Sequence, residues 1–204
     1  DGLLEALIPE FSDLRDCVQN EYHQFDVLEH TLAAYKSLEA LLNKPEAHFL
    51  QTGAQLCSHL DAAKTVNLKL ALLLHDIGKP ASKTVGRDQR VHFYGHGQKS
   101  ADRALDICLR LKFSRRAVQY IDFIIRNHLR ALFLFVAGQK QDLKHKGMVR
   151  FFRKCGSLTP DLLVHTMADI MGKSRTSTAR DADFIRFARE TLDLFFQEYG
   201  PRVS

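Results

Sequence analysis

Leu68-Lys69-Leu70-Ala71-Leu72-Leu73-Leu74-His75-Asp76-Ile77-Gly78-Lys79-Pro80 is the stretch on which the fold turns. Residues 67–76 are apolar nearly all round, the pattern of a helix buried at the centre of a bundle. Gly78 and Pro80 stop it. The helix ends on His75-Asp76, and a buried charge is costly unless it is paired. A divalent cation would supply the partner. Imidazole nitrogen with carboxylate oxygen suits Mn, Fe, Co, Ni or Zn. On the doublet alone, an ordinary hydrogen-bonded His–Asp pair stays open as the alternative.

Outward from this stretch, almost every segment repeats near 3.6 residues, which predicts an all-α bundle. Residues 26–43 form a helix with Asp26 as N-cap and a stripe of Leu28, Leu32, Tyr35 and Leu42. Further helices are expected at 46–60, 97–111, 114–128, 146–155, 160–171 and 179–199. Thr159 is the expected cap before Pro160. Residues 84–93 hold the only strand-like stretch, read as a short hairpin or a plain loop. No strong linker divides the chain.

At 204 residues the chain fits one domain, with a core that needs no staples. Its apolar runs, such as 70–74 and 131–137, are too short to span a bilayer, and no membrane partner is expected. Cys17, Cys57, Cys108 and Cys155 are scattered without a C-x-x-C pair. This argues against a zinc finger and fits free thiols in a reducing cytoplasm. The net charge of +5 is compatible with a phosphate-ester substrate but does not by itself make a nucleic-acid binder. The chain begins at Asp1, and a fragment of a longer protein is expected.

The ten histidines hold most of the chemical information. His30 lies mid-helix beside the small Ala33, Ala34 and Ser37. His96 sits between Gly95 and Gly97, His128 follows an apolar run near a helix end, and Asp169 stands in apolar Met167-Ala168-Asp169-Ile170. The ordered set His30, His75-Asp76, His96, His128, Asp169 resembles the signature of the HD metal-dependent phosphohydrolase superfamily. Residues 22–31 (YHQFDVLEHT), 75–80 (HDIGKP) and 93–97 (FYGHG) are similar to the HD domain attached to bacterial tRNA nucleotidyltransferases and poly(A) polymerases.

The resemblance covers about residues 20–172, leaving 173–204 as a helical extension. It implies that His30, His75, Asp76 and Asp169 bind one divalent metal ion. His96 and His128, bridged by Asp76, bind a second ion or else contact the substrate phosphate. The metal would be Mn, Ni, Co, Fe, Mg or Zn. Such an ion brings the pKa of its water to roughly 7 and polarises a phosphoryl oxygen. Lys79 is read beside His75 and Asp76 as a catalytic or substrate-binding cation, with a solvated surface lysine the alternative. His23 and Asp26 are read as contacting the substrate or supporting the ligands, with a plain cap the alternative for Asp26. Lys173 and Arg175 open a basic stretch that contacts RNA phosphates or forms a solvated face.

Other residues are given less. His165 shares a helix face with Asp169 and is read as a core or surface residue, or as support for that carboxylate. His48, His59 and His145 read as surface, and His92 is unassigned. Asp181-x-Asp183 imitates a polymerase carboxylate pair, but acidic residues in a first helical turn favour the dipole. Polymerase chemistry is therefore expected outside these residues, in an upstream head.

The expected function is metal-dependent hydrolysis of a nucleotide or RNA-end phosphate ester, tRNA included. The resemblance points to 2′,3′-cyclic phosphodiesterase, phosphatase or 2′-nucleotidase activity. The alternatives are an RNA-positioning module with little turnover, or an HD hydrolase of nucleoside triphosphates, alarmones or cyclic dinucleotides. The oligomeric state stays open.

Overall fold

A computed structural model describes residues 2–19, 24–139 and 145–200. The elements run α1 (Gly2–Leu7), a 3-10 turn (Pro9–Leu14), α2 (Val27–Asn43), α3 (Pro45–His48), α4 (Gly53–His59), α5 (Ala62–Leu74) and α6 (Lys79–Ser82). Then come β1 (Lys83–Val85), β2 (Val91–Phe93), α7 (His96–Arg110), α8 (Arg115–Asn127), α9 (Arg130–Gln139) and α10 (His145–Cys155). A 3-10 turn (Gly156–Leu158) leads into α11 (Thr159–Met171), and α12 (Ala179–Leu194) ends in a π-helical turn (Phe195–Tyr199). Among the described residues the fold is all-α apart from one hairpin, in which β1 and β2 pair antiparallel with Lys83 opposite Phe93.

Side-chain caps explain several helix starts. Asp26 caps α2: its side chain accepts the Glu29 N–H, and Glu29 reaches back to the Asp26 N–H. Asp61 caps α5 by accepting from Lys64 N, so that helix begins five residues before the expected 67. Thr178 and Asp181 form the same reciprocal box at α12. Thr159 is not a cap. It is the first residue of α11, and its hydroxyl donates back to the Gly156 carbonyl.

Three other expectations are corrected. The helix expected at 46–60 is broken into α3 and α4, because the chain folds back until a Cβ on Gly53 would stand 2.7 Å from Glu46 Cα. The stripe of α2 is Val27, Leu28, Thr31, Ala34, Leu38 and Leu41, with Leu32 left 41% exposed. Residues 130–139, read only as an apolar run, form α9.

The core holds α5 at the junction of α2, α7, α8 and α11. Yet α11 is the more deeply buried helix. Every residue from Thr159 to Ala168 is buried, polar ones included. Its polar side chains other than His165 are partnered internally: Thr166 donates to the carbonyls of His128 and Leu162, and Asp161 accepts from Tyr120. His59, expected at the surface, also reaches Asp161, at 2.5 Å, and is partly buried. No helix among the described residues is long and apolar enough to cross a membrane.

Two glycines let helices approach closely around the site. A Cβ on Gly172 would lie 2.3 Å from Ala34 N and 2.5 Å from its Cα, so the end of α11 rests on the backbone of α2. One on Gly78 would lie 2.4 Å from Ser100 N, which seats the turn after His75-Asp76 against α7. Gly78 N–H donates to Ser100 Oγ at 2.9 Å.

Candidate metal centre

Four histidines from four elements converge on two carboxylates. In each, one ring nitrogen is held by a backbone carbonyl: His30 Nδ1 by Gly172 (3.2 Å), His75 Nδ1 by Leu72 (2.7 Å), His96 Nδ1 by Phe93 (2.8 Å) and His128 Nδ1 by Ile125 (2.6 Å). A carbonyl can only accept, so Nδ1 carries the proton in every case. Nε2 is thereby turned toward the centre, the arrangement that orients metal-binding imidazoles. His75 and His128 achieve it alike. Each is the αR residue that follows its helix, and each ring bonds the carbonyl three residues back.

Two groups of donor atoms can each hold a metal ion: His30, His75 and Asp169, and Asp76, His96 and His128. Asp76 joins them. Its Oδ2 lies 3.1 Å from His75 Nε2 and 3.5 Å from His30 Nε2, and its Oδ1 lies 3.5 Å from His96 Nε2. Asp169 Oδ1 is 3.0 Å from His30 Nε2 and 3.6 Å from His75 Nε2. Asp76 is buried, whereas the Asp169 side chain is 15% and that of His96 13% exposed. These two residues mark the open side.

The donor set fits a cation. Among the described residues, Nε2 of His75 and both Asp76 oxygens are buried without a hydrogen-bond partner, although Lys79 Nζ stands 2.6 Å from Asp76 Oδ2 as an ion pair. His96 and His128 aim Nε2 at each other across 3.2 Å, with both protons placed on Nδ1. Two lone pairs at that separation repel unless a proton or metal ion lies near both.

The electrostatics agree. Burial disfavours the His75 imidazolium, but Asp76 and Asp169 outweigh it and hold the ring up at about 10. Burial opposes ionisation of the two carboxylates as well, yet the facing histidines hold both well below the usual range; Lys79 adds to this for Asp76. His128 is pushed down to about 4 by burial and by the neighbouring His75 and His96.

The remaining candidates have different surroundings. Lys79 is buried, not a solvated surface lysine: Nζ stands 2.6 Å from Asp76 Oδ2 and donates to Gln19 Oε1 at 2.5 Å. Asp26 spends both oxygens on the backbone, one on Glu29 N and one on Asp16 N. Lys173 and Arg175 sit on the turn that follows the Gly172 carbonyl. Lys173 pairs with Asp181 at 2.6 Å, and Arg175 lies over the Phe25 ring at 5.9 Å. His23 lies outside the described residues. Asp181 is engaged by Lys173 and the Thr178 cap, and Asp183 by Arg186, so the imitation of a polymerase pair is structural.

One contributor escaped the sequence reading and a second was given too little weight in it. Gln19, buried, accepts from Lys79 and donates to the carbonyls of Phe25 and Asp26, tying the segment before α2 to the centre. Nothing in its local sequence signals this. His165 is fully buried, with its ring 5.4 Å from that of His75 and 6.1 Å from that of His128, so the surface reading fails and the core reading holds. Neither of its nitrogens has a partner among the described residues, and burial keeps it neutral. The four-residue spacing to Asp169 was the available signal.

The HD domain family matches residues 27–144. The A-adding tRNA nucleotidyltransferase of Deinococcus radiodurans is 29% identical over 98% of this chain and 41% of its own length. The CC-adding tRNA nucleotidyltransferase of Thermus thermophilus is 28% identical over 82% of the chain and 32% of its own length. A bifunctional uridylyltransferase/uridylyl-removing enzyme of Ruegeria pomeroyi is 34% identical over 84% of the chain and 18% of its own length. The chain thus spans less than half the length of each of these relatives.

Proposed function

The chain belongs to the HD domain family, and on that footing we propose that it is a metal-dependent phosphohydrolase acting on a nucleotide or RNA-end phosphate ester. The observation that carries the reading is the shared histidine geometry: four Nδ1–H groups tied to carbonyls and four Nε2 atoms turned toward Asp76 and Asp169. A scaffold has no use for donors preorganised in this way. Relatives named for tRNA nucleotide addition and for uridylyl removal both handle nucleotidyl phosphates, which supports this substrate class.

Roles follow from position. His30, His75, Asp76 and Asp169 would hold one divalent ion; His96 and His128, with Asp76 between, would hold a second. When bound, such ions supply Lewis acidity toward a phosphoryl oxygen and a water acidified to roughly pKa 7. Asp76 keeps its charge at any working pH because His75 and Lys79 face it, so the donor is always ready. Lys79, fixed by Gln19, places a cation where charge builds on the phosphoryl oxygens. Asp169 and His96, on the open side, border the substrate's approach. Asp26, Lys173 and Arg175 support the wall next to His30 through Asp16, Gly172 and Phe25. The domain is taken as one unit, with α12 as its C-terminal extension, working in the cytoplasm.

Metal content by mass spectrometry, paired with hydrolysis of bis-p-nitrophenyl phosphate under added Mn²⁺, Ni²⁺ or Co²⁺, tests this. One or two ions per chain with metal-dependent turnover, abolished in Asp76→Ala with its fold intact, is the expected result. Full turnover in Asp76→Ala would remove the assigned centre. Absence of metal and turnover under every condition would leave the fold serving only to position RNA.

A further inference from the structure

Helix α10 carries a feature that the metal centre does not use. Lys146, Arg150, Arg153 and Lys154 are all exposed, and with Val149 they line a concavity of about 620 Å³. None of the metal-centre residues lines it. The opposite side of α10 is anchored: Phe151, Phe152 and Cys155 are buried. The helix therefore cannot roll, and its cations are held outward as a row. From Lys146 to Lys154 the row runs about 12 Å at 1.5 Å per residue.

For the helix itself this row is unfavourable. Lys146–Arg150 and Arg150–Lys154 are like charges four residues apart, and Arg150–Arg153 three apart, spacings at which side chains meet. Lys146 lies in the first turn, where the helix dipole disfavours a cation. No acidic side chain among the described residues pairs with any of the four, whereas Arg103, Arg110 and Arg126 each have a carboxylate partner within 4 Å. An external polyanion would relieve the repulsion.

Two residues of α9 indicate which polyanion. Arg130 is exposed, begins two residues after His128, and is near enough to act, with Lys154, on the buried Cys155 thiol. It continues the row from α10 toward the metal centre. Phe133, one helical turn along from Arg130, is 64% exposed. Cations that track a backbone beside an aromatic that can stack a base are the combination by which single strands are bound. An acidic polypeptide would use the cations but not the ring.

We propose that the cationic face of α10, continued by Arg130 and Phe133, binds the backbone of a single-stranded RNA whose end lies at the His/Asp centre. The inference rests on the hydrolase reading for what happens at that end, but not for the binding. The probe is a labelled oligouridylate, followed by anisotropy against KCl with EDTA present so that nothing is cleaved. Five cationic contacts predict a log–log salt slope of about −3.5, at about −0.7 per contact, falling to about −2.1 in Lys146→Gln/Arg150→Gln. Phe133→Ala is expected to weaken binding at least several-fold with the slope unchanged.

Hydrolysis of bis-p-nitrophenyl phosphate by both variants should equal that of the parent chain, which also shows that they fold. An unchanged slope in the double variant would overturn the proposal, whatever the hydrolase does. Poly-glutamate binding as tightly as the RNA, with Phe133→Ala silent, would overturn it in favour of an acidic protein partner. RNA binding with the expected slopes but no hydrolysis of any ester would uphold it while removing the hydrolase reading.

Discussion

Gly172→Ala tests whether the candidate metal centre depends on the close seating of α11 on α2. The backbone at Gly172 has φ −81°, which alanine adopts without strain, so only the space matters. The new methyl group would stand 2.3 Å from Ala34 N, 2.5 Å from its Cα and 2.7 Å from its Cβ. Ordinary contact begins near 3.4 Å, so the helices must part by about 1 Å. The His30 Nδ1–Gly172 carbonyl bond is already 3.2 Å and would not survive that shift.

Overpacking costs roughly 1–3 kcal/mol and the lost hydrogen bond about 1, against a gain of up to about 1 from a stiffer unfolded chain. The net loss is about 2 kcal/mol, or roughly 4–8 °C in Tm for a chain of this size. Freed from its carbonyl, His30 should also cost about 10–100-fold in metal affinity, as loss of a ligand's supporting partner does. Thermal unfolding and calorimetric metal titration read the two effects. Because the nearest atoms are backbone, adding Ala34→Gly should rescue little. An unchanged Tm and metal affinity in Gly172→Ala, or full rescue by Ala34→Gly, would refute the argument.

Three further outcomes are expected. His75, held up at about 10 in the metal-free chain, is protonated at neutral pH, so metal uptake must expel that proton; metal affinity should rise about tenfold per pH unit between about 7 and 10, and calorimetric heats should scale with buffer ionisation enthalpy. His128 is depressed to about 4, so the unfolded chain takes up a proton there before the folded one does; this contribution, on the order of 3 kcal/mol, is complete above about pH 6.5 and should be lost as pH falls toward 4, which urea unfolding of metal-free protein would show as a falling midpoint. Tyr120→Phe removes the hydroxyl that donates to buried Asp161 at 2.5 Å; a loss of about 1.5–3 kcal/mol in thermal unfolding is expected, with metal content unchanged.

Much of this protein was legible in one dimension because its signals are local. A run such as 67–76 can only be a buried helix, and 3.6-residue periodicity placed α2, α7, α8, α10, α11 and α12. The His-Asp doublet and the spaced histidines were readable as candidates because a metal site needs particular side chains, and these are rare in apolar settings. Other features have no local signature. Gln19 reaches Lys79 across 60 positions, and His30 is held by a carbonyl 142 positions away, so only the folded chain decides those pairings. The burial of Lys79 and His165, the break between α3 and α4, and the seating of Gly172 and Gly78 depend on what a neighbouring helix occupies. The sequence by itself determined which atoms are available to ligate a metal. The tertiary structure decided which way those atoms point, because an imidazole can aim either nitrogen and only a carbonyl placed by packing selects Nε2.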